Sequence, residues 1–202
     1  MKIDEILDKE ILGEFSRTDR DIRYELEKQG YKHLGSGVDQ TAYIEPDGHT
    51  VLKIFGTQGK KFSRDQKMFK AWADFCERNS DNPFLPKYSG WETFEYKGDT
   101  YLQIRTEFLK PSGDLGQAIA KLGRDLEWGF ADYFSLKSKR PFEYRRVARA
   151  IGEEHVPLLI NTLLELMHEG HTKKNWDWDL HGGNIMLRSN GQPVLNDPWV
   201  IA

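Results

Sequence analysis

The stretch "NWDWDLHGGNIMLRSNGQPVLNDPWV", residues 175–200, decides how the chain is read. Asp177, Asp179 and His181 alternate, which sets them on one side of an extended segment. Asn184 follows Asp179 by five residues and Asp197 follows it by eighteen. Aspartate and asparagine are hard oxygen ligands that suit Mg²⁺, an ion that also takes phosphate oxygens. Two other readings fit the same residues. One is a polar loop whose Asp and Asn side chains cap turns. The other is an Asp/His transition-metal site, for which one histidine and no nearby cysteine make a poor ligand set.

Working outward, the hydrophobic period changes along the chain. Ile3, Ile6, Leu7, Ile11 and Phe15 recur at helical spacing, which predicts an amphipathic helix over 3–15. A short helix is expected over 19–29, stopping at Gly30. "YKHLGSGVDQTAYIEPDGHTVLKIFG" then reads as strand, Gly-rich turn, strand, a "PDGH" hairpin turn and strand. A helix is expected over about 62–78, and two strands joined at "YKGD" follow. Residues 114–170 read as wholly helical, broken near Pro141 and ending at Gly170, before a return to short strands and loops. Strands with one inserted helix precede helices, so the fold class is α+β with segregated elements.

The 202 residues carry a net charge of −3, which gives no global basic field for nonspecific nucleic-acid binding. The one cysteine, Cys76, cannot close an internal disulfide, which fits a reducing compartment. "MKIDEILDKEILGEF" is too charged for a signal peptide, and "VPLLINTLLELM" is too short and polar to span a membrane. The expectation is a soluble, cytoplasmic protein without a membrane partner.

A second constellation lies upstream. Gly35 and Gly37 stand between two expected strands, where glycine lets backbone approach a ligand closely. Lys53 follows on the next strand among Val51, Leu52 and Ile54. The functional reading is a phosphate cover with Lys53 gripping phosphate oxygens. The plainer one is a hairpin turn and a snorkelling lysine.

The order of Gly-rich turn, strand lysine, helix, two strands, helices, D-x-x-x-x-N and final Asp resembles the protein-kinase-like fold over roughly residues 31–199. The form "DLHGGNIM" looks closer to atypical bacterial and phage kinases than to eukaryotic ones, and is most similar to kinase-like early proteins of tailed phages. The resemblance implies a minimal two-lobed architecture: an N-terminal helical extension (1–29), an N-lobe nucleotide clamp (30–110) and a reduced helical C-lobe (111–202). It implies ATP and Mg²⁺ as cofactors. Gly35, Ser36 and Gly37 would lie over the phosphates, and Lys53 would contact them. Asp65 would pair with Lys53, with Gln66 and Asp74 as alternatives. Thr106 would stand at the gatekeeper position, and the backbone of Glu107 and Leu109 would face adenine. Asp179 would orient the acceptor hydroxyl and take its proton, and Asn184 and Asp197 would bind Mg²⁺. His181 would orient Asp179 by a hydrogen bond or contact the transferred phosphate.

The chain also departs from that family. Gln40 replaces a third glycine, with Asp39 beside it. Trp178 precedes Asp179 where many kinases have arginine, so activation through a phosphorylated loop is not expected. "NDP" replaces D-F-G, and Pro198 stiffens that turn. The chain stops five residues after Asp197, which implies a C-lobe without an activation segment, a partner, or a longer whole. The basic segment 137–149 reads as a solvated helix face or as a docking patch for an acidic partner. The expected function is transfer of the ATP γ-phosphate to a protein Ser/Thr hydroxyl. The alternatives are a kinase-derived binding module that inhibits or recruits a host protein, and a small-molecule kinase.

Overall fold

The computed structural model describes residues 19–36, 40–55, 64–96, 99–129, 135–173 and 176–201. The helix expected over 3–15 lies outside them, as do Gly37 and Asp39. The chain is mixed α/β with antiparallel sheets, arranged as two compact units. The first holds residues up to Glu77 and Lys87–Phe108, the second Arg78–Pro86 and Leu109 onward. Residues 78–86, placed in the first lobe by the sequence reading, therefore group with the second unit.

In the first unit, helix α1 (Asp19–Lys28) precedes β1 (Lys32–Ser36), β2 (Gln40–Ile44), β3 (Thr50–Phe55), helix α2 (Arg64–Arg78), β4 (Tyr88–Tyr96) and β5 (Asp99–Glu107). The strands form one antiparallel sheet in the order β1-β2-β3-β5-β4. Gly30, at φ 89°, lets the chain leave α1 in a backbone conformation that side chains resist. The β2–β3 turn is built by Asp47, whose carboxylate accepts bonds from the backbone N–H of His49 (2.8 Å) and Thr50 (3.0 Å) and from the Thr50 hydroxyl (2.7 Å). Those donors, the His49 N–H first, hold the Asp47 carboxyl below its ordinary range.

Cross-strand partners share a face, so the sheet divides cleanly. On one side α1 buries Ile22 and Leu26 among Tyr43, Leu52, Ile54, Phe94 and Tyr96. On the other, Phe55, Leu102 and Ile104 pack with Ala73 and Phe69 of α2. The two buried aliphatics of α1 contribute about 1.5–3 kcal/mol each, which holds so short a helix in place. At the polar end of that α1 face, Arg105 donates to Glu45 (2.8 Å) and Glu92 (3.0 Å). Burial alone would lower its pKa, but the two carboxylates outweigh it and hold the guanidinium above its usual value.

The second unit contains β6 (Lys110–Pro111), α3 (Asp114–Glu127), α4 (Leu136–Lys139), α5 (Pro141–Ile151), a 3₁₀ turn (Glu153–His155) and α6 (Val156–His171). After these come β7 (Trp176–Trp178), a 3₁₀ turn (Gly182–Asn184), β8 (Ile185–Leu187), β9 (Pro193–Leu195) and β10 (Trp199–Ile201). β6, β8 and β9 form one antiparallel sheet, and β7 pairs with β10. Residues 114–170 are not one helical run broken at a single proline. Pro141 opens α5 rather than ending a helix, because its missing N–H is unneeded there. Gly152, at φ 86°, makes a second break. Gly170 does not stop α6, which continues to His171. A Cβ there would meet the Trp199 indole nitrogen at 2.9 Å, so its role is to admit that ring. Trp199 Nε1 donates to the Leu166 carbonyl (3.0 Å) in the space so made.

Residues 78–86 are fastened into the second unit by polar bonds. The Arg188 guanidinium donates to the carbonyls of Pro83 and of Leu85 (2.8 Å), Leu195 N–H donates to Phe84 O (2.8 Å), and Asn82 Nδ2 donates to Thr162 Oγ1 (2.8 Å). Among the described residues no helix is long and apolar enough to cross a membrane.

Candidate functional site

Asp179, Asn184 and Asp197, separated in sequence, converge in the second unit. Asn184 occupies the centre. Its Nδ2 donates to the Asp179 carbonyl (2.8 Å), approaches the Asp179 carboxylate (3.4 Å) and donates to the Asp197 carbonyl (2.9 Å). The backbone ties the same segments together: Asp179 N–H donates to Pro198 O (2.8 Å), and Asn196 N–H to Asn184 O (2.7 Å). With the amide nitrogen facing these acceptors, the Asn184 amide oxygen is the end left to accept or ligate.

Asp197 has φ 48°, the one positive value among the described non-glycine residues. Aspartate tolerates that region better than most residues, but it still costs energy, and such strain clusters at functional sites. Asn196 Nδ2 donates to the Asp197 carboxylate (3.0 Å). One asparagine oxygen and one carboxylate are a chemically fitting partial set for Mg²⁺, which keeps waters and takes phosphate oxygens for its remaining positions. Among the described residues no group of three or more His, Cys, Asp or Glu could hold a metal ion. The Asp177/Asp179/His181 transition-metal alternative therefore has no support. Asp177 is exposed and accepts a bond from the Trp178 N–H (2.8 Å).

His181 does not hydrogen-bond Asp179. Its Nε2 lies 4.0 Å from the Asp179 carboxylate, beyond bonding reach, while its Nδ1 accepts from the Gly183 N–H (3.0 Å). That bond makes Nε2 the protonated nitrogen of the neutral ring. Neither Gly182 nor Gly183 has positive φ. They are small for space. A Cβ on Gly182 would meet the Gln117 amide at 2.3 Å, and one on Gly183 would meet the His181 ring at 2.7 Å.

Sequence reasoning missed what holds this loop. The Ser112 hydroxyl donates to the Ile185 carbonyl and approaches that of Gly182 (3.4 Å). A Cβ at Gly116 would come within 2.8 Å of the Gly182 carbonyl, so α3 meets the loop only because that position is glycine. Glu127, at the end of α3, was also missed. Burial first, and the charge of Asp177 second, push its carboxyl above the ordinary range. No local pattern marks these residues, since their partners are distant in sequence.

In the first unit, Lys53 lies on β3, paired with Ala42 and Ile104, and is 8% exposed. It shares the α2 face of the sheet with Phe55 and Ile104, so it is not an exposed snorkelling lysine. Asp65 falls in the first turn of α2, and its side chain lies outside the described residues. Of the alternatives, Asp74 accepts from Lys70 (2.9 Å) and Trp91 Nε1 (3.0 Å). Gln66, 1% exposed, is the one brought to β3, donating to the Phe55 carbonyl (3.3 Å). Gly35 and Ser36 are not turn residues: both belong to β1, opposite Ala42 and Thr41, after an irregularity between His33 and Gly35. The Ser36 hydroxyl is 3.0 Å from His33 Nε2 and 3.3 Å from Thr41 Oγ1. Thr106 is buried, with its hydroxyl donating to Lys87 O (3.2 Å). The Glu107 N–H is taken by the same carbonyl (3.1 Å), while Leu109 is a buried residue of the second unit.

No protein-family model matches the chain, and no curated protein matches it.

Proposed function

We propose that the chain is a kinase-like phosphotransferase, moving the γ-phosphate of ATP with Mg²⁺ to a hydroxyl, that of a protein Ser or Thr. The observation that carries the reading is the Asn184 amide, which bonds Asp179 and Asp197 together across a step of five and a further step of thirteen residues. A loop that merely capped its own turns would not need a distant aspartate held in a strained conformation. Mg²⁺, when bound, would supply charge neutralisation at the phosphates.

Each residue then has a task. Asp179, its carboxylate 45% exposed, accepts the proton of the acceptor hydroxyl as that oxygen bonds to the γ-phosphorus. The bond to the β–γ bridging oxygen breaks and ADP leaves. Asn184 holds the Asp179 carbonyl, and through it the loop, in register with Asp197. The Asn184 amide oxygen and the Asp197 carboxylate are the metal ligands. Lys53 is assigned the phosphate contact. Its burial makes it a positioned cation with few competing waters. His181 Nε2, a donor, suits a contact to the transferred phosphate better than a bond to Asp179.

The reading is tested by thermal shift. ATP with Mg²⁺ raises the melting temperature, and Asp197→Asn removes most of the metal-dependent part. No shift at millimolar nucleotide and metal would overturn it.

A further inference from the structure

The second unit carries a groove between α3 and α5 that the proposed chemistry does not use. Its volume is about 530 Å³, within the roughly 300–1,000 Å³ of ligand-sized clefts. Four cations, Lys121, Arg145, Arg146 and Arg149, line it against one carboxylate, Glu143. Two of the cations are held by pairs open to solvent on the cation's side: Lys121 with Glu143 (3.2 Å) and Arg146 with Asp114 (3.3 Å). Such pairs contribute little and exchange readily for a better partner. Arg149 has no ion pair among the described residues, and Arg145 stands over the Phe142 ring (5.3 Å). Phe142 is 76% exposed, the most exposed of the large described hydrophobics. An aromatic left in water beside a cationic groove has the make-up of an interface anchor.

We propose that this groove docks an acidic segment of a protein partner, with an apolar side chain of that segment packed on Phe142. Charge complementarity selects the acidic partner. α5 has 11 residues, about 16 Å of groove at 1.5 Å each, which matches an extended peptide of about five residues. A nucleic acid fits less well. The exposed Phe142 beside the cations suits an apolar side chain of a peptide better than a phosphate backbone. The Gln117 amide, on the same groove, lies against Gly182 of the candidate loop. One residue of the groove therefore abuts the candidate loop, and the docked protein would be the one carrying the acceptor hydroxyl. That last step rests on the proposed phosphotransfer; the docking does not.

The test is fluorescence anisotropy without nucleotide, using a short fluorescein-labelled Asp/Glu peptide with one central phenylalanine. The chain binds it in low salt. Arg145→Glu with Arg149→Glu weakens binding about tenfold or more, and binding falls as salt rises. Phe142→Ala weakens it about fivefold, and an all-acidic peptide lacking phenylalanine binds wild type correspondingly less. These are exposed positions, and an unchanged urea midpoint shows that the variants are folded. Undetectable binding, or equal affinity for wild type and the double variant, overturns the proposal. So does an oligodeoxythymidylate that binds as tightly as the peptide. Because no ATP is present, failure here leaves the phosphotransfer reading standing, and a failed thermal shift with ATP leaves the docking standing.

Discussion

At the scale of single residues, Glu127 gives the clearest pH signature. Burial and the neighbouring Asp177 charge raise its folded pKa above the unfolded carboxylate value of about 4.3. The folded state therefore holds that proton more tightly than the unfolded state. The stability it contributes is present below pH of about 4 and is lost as pH rises through the raised folded value. At neutral pH the ionised side chain is a liability. Glu127→Gln should thus raise the urea midpoint at pH 7, with the difference closing as pH falls to the unfolded carboxylate range. Asp177→Asn should recover part of the same gain. A Glu127→Gln midpoint that does not move at pH 7 would show that the charge is well solvated. That Asp179, Asn184 and Asp197 come together was legible through the motif spacing that the kinase resemblance implies. Glu127 was not, because its perturbing charge sits on a strand fifty residues later.

Among elements, the period of the apolar residues marked α1 through β5 closely, because most strand pairs there join neighbours in sequence, with β3 and β5 paired across α2 and β4. It misjudged breaks where a glycine or proline has two uses. Pro141 starts a helix, and Gly170 makes room for Trp199. A lone residue cannot announce which, since the deciding partner lies elsewhere in the fold. The placement of 78–86 is the same lesson at larger separation. Its anchor, Arg188, is about a hundred residues downstream, and the planar guanidinium fork meets two carbonyls at once. Removing it should leave the Pro83 and Leu85 carbonyls without a charged donor. At about 1.5–3 kcal/mol for each bond to a charged group, Arg188→Ala should cost about 3 kcal/mol in urea unfolding. Arg188→Lys, which keeps the charge but loses the fork, should recover less than half. Equal stability of the lysine variant and wild type would mean that charge alone, rather than the forked geometry, fastens the segment.

For the whole molecule, the question is whether the two units serve one reaction. Lys53 lies in the first and Asp179 in the second. A binding module would tolerate loss of either, whereas phosphotransfer requires both. Incubating the protein with γ-labelled ATP, Mg²⁺ and a cell lysate should place label on a protein. Lys53→Met and Asp179→Ala should each reduce the initial rate on the order of a hundredfold or more, the scale of losing one positioned electrostatic or proton-accepting group. Label on a metabolite rather than a protein, lost in the same variants, would keep the chemistry and change the acceptor. Labelling that survives Asp179→Ala would remove that residue as the base. Absence of any labelled product, with the docking groove still binding its acidic peptide, would leave a module that recruits a protein without modifying it.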